Sequence, residues 1–546
     1  MIEARRIASA LTGTGRETPQ MLFSRVKPLD AILATAEKKS LKRTLGWFQL
    51  TLFGIGCVIG TGIFVLTSVG AQKAGPGLML AFAIAGAVCI VAALCYAEIA
   101  AMVPVAGSAY TYTYATVGEF FAWTVGWALI MEYAIAASAV SVGWSGYFQG
   151  TILHDLLGIS LPHWLSAGPL FMGGAEGGFI NFPAFVVALL ATWLLVIGTS
   201  ESAKVNAVLV LIKVAALTAF VALTLTSPEF SVDRFNPFLP AGVFGGFGTG
   251  VGAVGAAATM FFAYVGFDAV STAAEETKNP QRNVPIGLIG SLLFCTVFYI
   301  LVAAGAIGTI GGNPIMGAGG VPLVTGSPEL ARQCAMPEYA QALVCSNEPL
   351  AHVLRVLGFS GVGRFVGIAA ILALPSVVLV LMFGQTRIFF VMSRDGLLPE
   401  VLSRVHPRFR TPHVVTLITG IGVAIAAAFF PVGKLADISN AGTLYAFMMV
   451  AVSVLMLRVN DPSRQRSFRV PGVWIIAPLT MGGCVFLFLN LPTSAMLFLP
   501  IWSAVGLVVY FLYSRGKSQL GRGIVEVVDE IGGEQTMVPI HPPRGD

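Results

Sequence analysis

Residues 54–64 read GIGCVIGTGIF, with Gly54, Gly56, Gly60 and Gly62 inside nine positions of an otherwise apolar run. Glycine in a helix interior costs about 1 kcal/mol relative to alanine. A membrane helix crossing these residues is therefore weakest here. The ends freed by an opened helix carry unpaired amides and carbonyls, which a bilayer tolerates only against protein or a wet cavity. An interruption at this point implies a polar ligand. The same glycines also suit a close helix-packing face. The letters GxGxxxG match a dinucleotide loop as well, but no strand precedes them and no acidic ribose ligand follows at the right distance.

The surrounding chain supports a membrane setting. Of its 546 residues 56% are apolar and 11% charged, against about a quarter charged in soluble domains, and the mean hydropathy is +0.82. A soluble globule is excluded, and a net charge of +5 is too mild for a nucleic-acid footprint. Windows of about 20 apolar residues fall at 47–70, 78–103, 120–148, 182–199, 205–226, 243–275, 285–310, 363–393, 412–431, 436–457, 473–491 and 494–514. The expected fold is an all-α polytopic membrane protein with twelve transmembrane helices.

Residues 1–46 carry nine Lys/Arg and four acidic residues with no uninterrupted apolar run, so they read as a cytoplasmic tail and not a signal peptide. Within it, Pro19–Lys39 suits either an interfacial helix or a disordered tail. Under twelve spans one side holds 25 Lys/Arg including both tails, and the other holds six: Lys73, Arg234, Arg332, Arg355, Arg364 and Lys434. The positive-inside rule puts both termini in the cytoplasm. No N-x-S/T sequon occurs, which is compatible with a bacterial inner membrane. The loop 311–362 then faces outward, where Cys334 and Cys345 can pair. The other five cysteines lie in apolar runs, with no metal spacing.

A second interruption follows a glycine-rich lead from Gly242 to Gly255, at Phe261-Phe262-Ala263-Tyr264-Val265-Gly266-Phe267-Asp268. Two breaks five spans apart are the mark of an inverted repeat with ligand held between discontinuous helices 1 and 6. The repeats would be 47–226 and 243–457, followed by two further spans at 473–514 and a cytoplasmic tail at 515–546. Helix-start amides favour a carboxylate and bare carbonyls an ammonium, which together describe a free amino acid.

Ionisable residues inside spans cost about 2.5–3.5 kcal/mol on insertion scales and usually have a task. Lys213 lies deep in the fifth span, either as a proton carrier or as a static lysine bonded to carbonyls. Glu132, central in the third span, can meet the ligand ammonium or Lys213, or serve as a structural hydrogen bond. Asp268 suits bracing the unwound backbone. Phe262, Tyr264 and Phe267 either cover the site or pack. Glu275 and Glu276 are solvated or gating residues at the inner surface, and Glu98–Tyr110 is a plain turn.

Four stretches, LKRTLGWFQLTLFGIGCVIGTGIFVLTSVG (41–70), EIAAMVPVAGSAYTYTYATVGEFFAW (98–123), FFAYVGFDAVSTAAEETKNPQRNVPIG (261–287) and RIFFVMSRDGLLPE (387–400), resemble the amino acid–polyamine–organocation transporters. The likeness is to the cationic amino acid transporter branch and its bacterial relatives. The resemblance implies the five-plus-five inverted repeat with two added helices. It also implies a substrate carboxylate on the amides of Gly60, Thr61 and Gly62, its ammonium on the carbonyls of Val58, Phe262, Ala263 and Val265, and Phe267 as aromatic cover. Lys213 matches the helix-5 lysine of proton-coupled members, which disfavours sodium, and Glu132 matches the acidic residue of helix 3. The run Leu372-Ala373-Leu374-Pro375-Ser376 departs from the small polar run of eukaryotic cationic members and leaves a cationic side chain in doubt.

The function expected is proton-coupled import of an L-amino acid across the membrane by alternating access, with no cofactor beyond the proton. An exchanger or a facilitated uniporter of the same fold are the alternatives. A membrane enzyme is disfavoured because all six histidines fall in loops or the tail.

Overall fold

A computed structural model of the chain describes residues 25–27, 29, 45–103, 108–169, 177–198, 203–268, 270, 277–528 and 535–539. Glu275, Glu276 and most of Pro19–Lys39 lie outside the described residues, as does the centre of the Glu98–Tyr110 turn.

Apolar sequence condenses into helices in the order expected from the windows. The first are α1 (Trp47–Val58), α2 (Thr61–Phe64), α3 (Leu66–Ala74), α4 (Leu78–Met102), α5 (Ser108–Thr116) and α6 (Glu119–Tyr147). After these come α7 (Phe182–Ile197), α8 (Ala203–Leu225), α9 (Gly252–Met260) and α10 (Pro280–Ile310). The last are α11 (Ser360–Arg394), α12 (His413–Phe429), α13 (Val432–Asn460), α14 (Val473–Phe488) and α15 (Thr493–Val509). A 3₁₀ turn over Gly75-Pro76-Gly77 separates α3 from α4. Among the described residues seven helical stretches are long and apolar enough to cross a membrane, and five further apolar helices are shorter. Near the C-terminus Ile524–Val528 and Gln535–Pro539 pair as an antiparallel hairpin, which the reading of 515–546 as a plain tail does not anticipate.

The bundle is organised around α6. It packs against α11 and α13, while α10 lies along α4 and α1, and α7 along α12. Buried residues make up 78% of the α6 window but 22% of the window beginning at Thr493, so α6 is the axis and α15 the periphery. Outward faces of α7, α8, α12, α14 and α15 carry Leu190, Trp193, Leu211, Ile418, Ile421, Ile475 and Ile501, all exposed. Water would penalise so much apolar surface, whereas lipid tails solvate it. The chain is a multi-pass membrane protein.

One cluster of charges inside this apolar body is closely paired. Glu98, fully buried, accepts both Nε and Nη2 of Arg458 at 2.8 and 2.7 Å and the amide of Val470 at 2.7 Å. Arg466 Nε lies 3.4 Å from the same carboxylate. The end of α4 is therefore an anchor for α13 and the segment before α14, more than the plain turn expected there. Cys334 and Cys345 form a disulfide with a Cα–Cα distance of 5.3 Å, closing the loop between α10 and α11 on itself.

Removing one member of a buried ion pair leaves the other uncompensated, at a cost of about 3–5 kcal/mol. Glu98→Ala, which strands two arginines, should lower the thermal unfolding temperature in detergent far more than the exposed control Glu400→Ala. Equal midpoints for the two variants would show that the cluster does not hold α4 to α13.

Candidate functional site

The first helix ends inside the glycine cluster. α1 stops at Val58, Ile59 leaves helical geometry at φ −71°, ψ 99°, Gly60 stands at φ −148°, ψ −145°, and α2 begins at Thr61. The first amides of a helix have no acceptor within it, so the N–H groups of Thr61 and Gly62 point back into this gap. Thr61 is 1% exposed, yet its Oγ1 has no hydrogen-bond partner among the described residues.

The second irregular segment lies directly against the first. α9 tightens into a 3₁₀ turn over Phe261–Tyr264, after which Val265 is extended and Gly266 has φ +108°. A Cβ added to Gly62 would sit 2.2 Å from Ala263 Cα, and one added to Gly266 would sit 2.9 Å from the Cys57 carbonyl oxygen. Main chain meets main chain at both points, and only glycine permits it.

Side chains from neighbouring helices reach the carbonyls that these breaks release. Tyr299 Oη, from α10, lies 3.0 Å from the Val58 carbonyl and 3.0 Å from the Ala263 carbonyl. A hydroxyl has one proton, and each carbonyl keeps a second lone pair, so both retain capacity for another donor. Asn440 Nδ2, from α13, donates to Ala258 O at 2.8 Å and Thr259 O at 3.0 Å, capping the end of α9. Lys213 Nζ, from α8, donates to Gly56 O at 2.9 Å and is 2% exposed.

The remaining expected residues divide. Asp268 accepts from Tyr133 Oη at 2.7 Å, a bracing contact between the second break and α6. Glu132 lies against α13: its carbonyl accepts from Ser439 Oγ at 3.2 Å, and its Cβ is 3.2 Å from where a Cβ of Gly442 would be. Its Oε2 is buried with no hydrogen-bond partner among the described residues. Phe267 joins Tyr96 and Phe447 in an aromatic cluster with centroids 5.7 and 5.0 Å away, while Tyr264 turns to Phe82 O at 2.9 Å. Phe262 O accepts the Val265 amide at 3.2 Å, so part of its capacity serves the turn. On α11, Ser376 Oγ is spent on Ala373 O at 2.8 Å, and Val377 faces Gly60.

Tyr299, Asn440 and Val377 are absent from the sequence reading. The available signal was weak for the first two: Tyr299 is one hydroxyl in a long apolar helix, and Asn440 is one of several polar residues between Lys434 and Thr443. Val58 lies 241 positions from Tyr299, and Ala258 lies 182 from Asn440.

Gly62→Ala should force the two segments apart, since overpacking against backbone costs about 1–3 kcal/mol, and weaken ligand binding by about tenfold or more. Gly60→Ala meets Val377 at 3.6 Å and should keep binding within about threefold. Calorimetry on the two purified variants checks this, and equal affinities would remove Gly62 from the site. Tyr299→Phe removes the one donor that the buried Val58 and Ala263 carbonyls share, at about 1–3 kcal/mol, and should lower thermal stability.

Comparison with known proteins agrees with this architecture. Residues 45–513 match the family model described as amino acid permease. The chain is 44% identical over 503 residues to the branched-chain amino acid permease BcaP of Bacillus subtilis (strain 168), covering 92% of this chain and 99% of that protein. It is 41% identical over 499 residues to the methylthioribose transporter of the same organism, covering 91% and 99%. It is 36% identical over 438 residues to cationic amino acid transporter 9, chloroplastic, of Arabidopsis thaliana, covering 80% and 70%. The chain is a transporter and not an enzyme, and it belongs to the amino acid permease family of the amino acid–polyamine–organocation transporters.

Proposed function

We propose that this protein imports an L-amino acid with an apolar, branched side chain, driven by protons, through alternating access of one site between the two breaks. The observation that carries the reading is the contact of Gly62 with Ala263, which sets helix-start amides beside carbonyls that keep a free lone pair. A zwitterion fits this arrangement: carboxylate on the amides of Gly60, Thr61 and Gly62, ammonium on the carbonyls of Val58, Phe262, Ala263 and Val265. Phe267 and its aromatic neighbours would close one wall, and Glu132 would lie beside the site.

Two facts support the side-chain preference. Val377 presents an apolar surface at Gly60, and Ser376 beside it is turned to its own helix. The relative at 44% identity, and another from Lactococcus lactis at 31%, are named branched-chain amino acid permeases.

In this reading Lys213 carries the coupling proton. As an ammonium it holds the Gly56 carbonyl through a charge-assisted bond, and on losing its proton it loosens α1 from α8. A fixed lysine at this point leaves no need for sodium.

The seven long and five shorter apolar helices would give twelve spans, α1 with α3 as the first and α9 with the chain after Gly266 as the sixth. The segments before the first helix and after the last meet at Asp395: Lys27 Nζ is 2.7 Å from Asp395 Oδ1, and the Gln519 amide donates to Asp395 O at 3.0 Å. This supports an even number of spans, and the excess of Lys/Arg counted for that side supports a cytoplasmic face, in a bacterial inner membrane.

In proteoliposomes, uptake of labelled leucine should rise with an inward proton gradient, be competed by isoleucine and valine, and resist arginine. Lys213→Ala should bind leucine but lose the response to the gradient. Uptake driven equally by sodium, or an unaltered proton response in the variant, would contradict the coupling. Competition by arginine alone would contradict the side-chain assignment.

A further inference from the structure

Lys73 counts as an outer-loop charge in the sequence, but its ammonium is buried inside the protein. Its Nζ lies 2.9 Å from Asp437 Oδ2, with side-chain exposures of 2% and 4%, and it also donates to Thr259 Oγ1. Thr259 in turn donates to the other Asp437 oxygen. One closed triad thus joins α3 and α9, which lie on the chain beside the two breaks, to α13. The adjacent Gln72 bonds Ile315 O, Leu323 O and Ile315 N at 2.9, 3.0 and 2.9 Å, so the triad sits under the disulfide-bearing loop.

Stability alone gives no reason for such a pair. Replacing a buried ion pair by well-packed apolar residues is often neutral or stabilising. What a buried pair has that an apolar pair lacks is a second satisfied state. Dry, the two charges satisfy each other in low dielectric. Fully wetted, each is solvated separately. Partial separation satisfies neither, so the triad disfavours intermediates between a closed and an open outer face.

We propose that Lys73, Asp437 and Thr259 form an electrostatic latch that positions α3 and α9 against α13 and makes closure of the outer face all-or-none. The latch rests on the alternating-access reading above, in which α3 and α9 are the outer halves of the interrupted spans.

The reporter for its test is Val69 on α3, whose Cγ1 would lie 3.4 Å from a Cβ added to Gly433 of α13. A Val69→Cys thiol should react with a membrane-impermeant maleimide only when these helices part. Labelling is measured on intact cells without a proton gradient, against the chain lacking the reporter. Lys73→Met strands the Asp437 carboxylate, which then seeks water, and should raise the labelling rate about fivefold or more. The apolar pair Lys73→Met/Asp437→Leu has no charge to hydrate, and should label more slowly than the parent and transport poorly. Lys73→Arg should restore both readouts. A merely structural pair would move both variants in the same direction. Unchanged labelling in both, faster labelling in the apolar pair, or its transport at the parent rate would overturn the latch. If Lys73→Met fails to reach the membrane, the apolar pair decides by the same criteria. A parent reporter that no amino acid protects or exposes would instead contradict the transport reading.

Discussion

Backbone that leaves helical geometry inside an apolar body needs replacement hydrogen bonds, because neither lipid nor apolar side chains supply them. In this protein that need is met by bringing two irregular segments into contact and surrounding them with donors. Gly62 and Gly266 allow the approach. Lys213, Tyr299 and Asn440 then reach the carbonyls of Gly56, Val58, Ala258, Thr259 and Ala263 from three different helices. The rest of the fold serves this junction: α6 forms the axis, α10 carries Tyr299, and α13 carries both Asn440 and Asp437.

Not every polar atom near the junction is satisfied from within. Thr61 Oγ1 and Glu132 Oε2 are buried without hydrogen-bond partners among the described residues. Most buried polar side-chain atoms in native proteins are paired, and a purely structural network would be expected to satisfy these two. Thr61 opens the helix that follows the first break, and an unspent polar atom there is what a ligand-binding cavity requires. The buried carboxylate of Glu98 differs in this respect. Glu98 is saturated by Arg458, Arg466 and a backbone amide, and it acts as an anchor.

Much of the architecture is legible in the sequence because hydrocarbon imposes one-dimensional rules. Apolar run lengths locate the helices, and the glycines at 54–62 locate the end of α1, since helix propensity is local. Lys213 stands out because a lysine deep in an apolar run has few roles. What the sequence hides is partnership across the fold. Lys73 and Asp437 are 364 positions apart, and Glu98 and Arg458 are 360 apart. Each sits at the edge of an apolar window, where it reads as a solvated loop charge. Tyr299 hides for the opposite reason, because one hydroxyl barely changes the character of an apolar helix. The window at 243–275 is too long and glycine-rich for one regular helix, and its first glycines make a turn, with Gly245 N bonded to Val251 O and α9 beginning at Gly252.

The most direct measurement is an experimental density map of the protein in lipid with leucine bound. The account predicts density for the amino acid between the two breaks, its carboxylate within hydrogen-bond distance of the amides at Gly60–Gly62 and its ammonium at the carbonyls of Val58 and Ala263. A map in which residues 47–74 form one unbroken helix, or in which leucine lies away from Ala263, would contradict it.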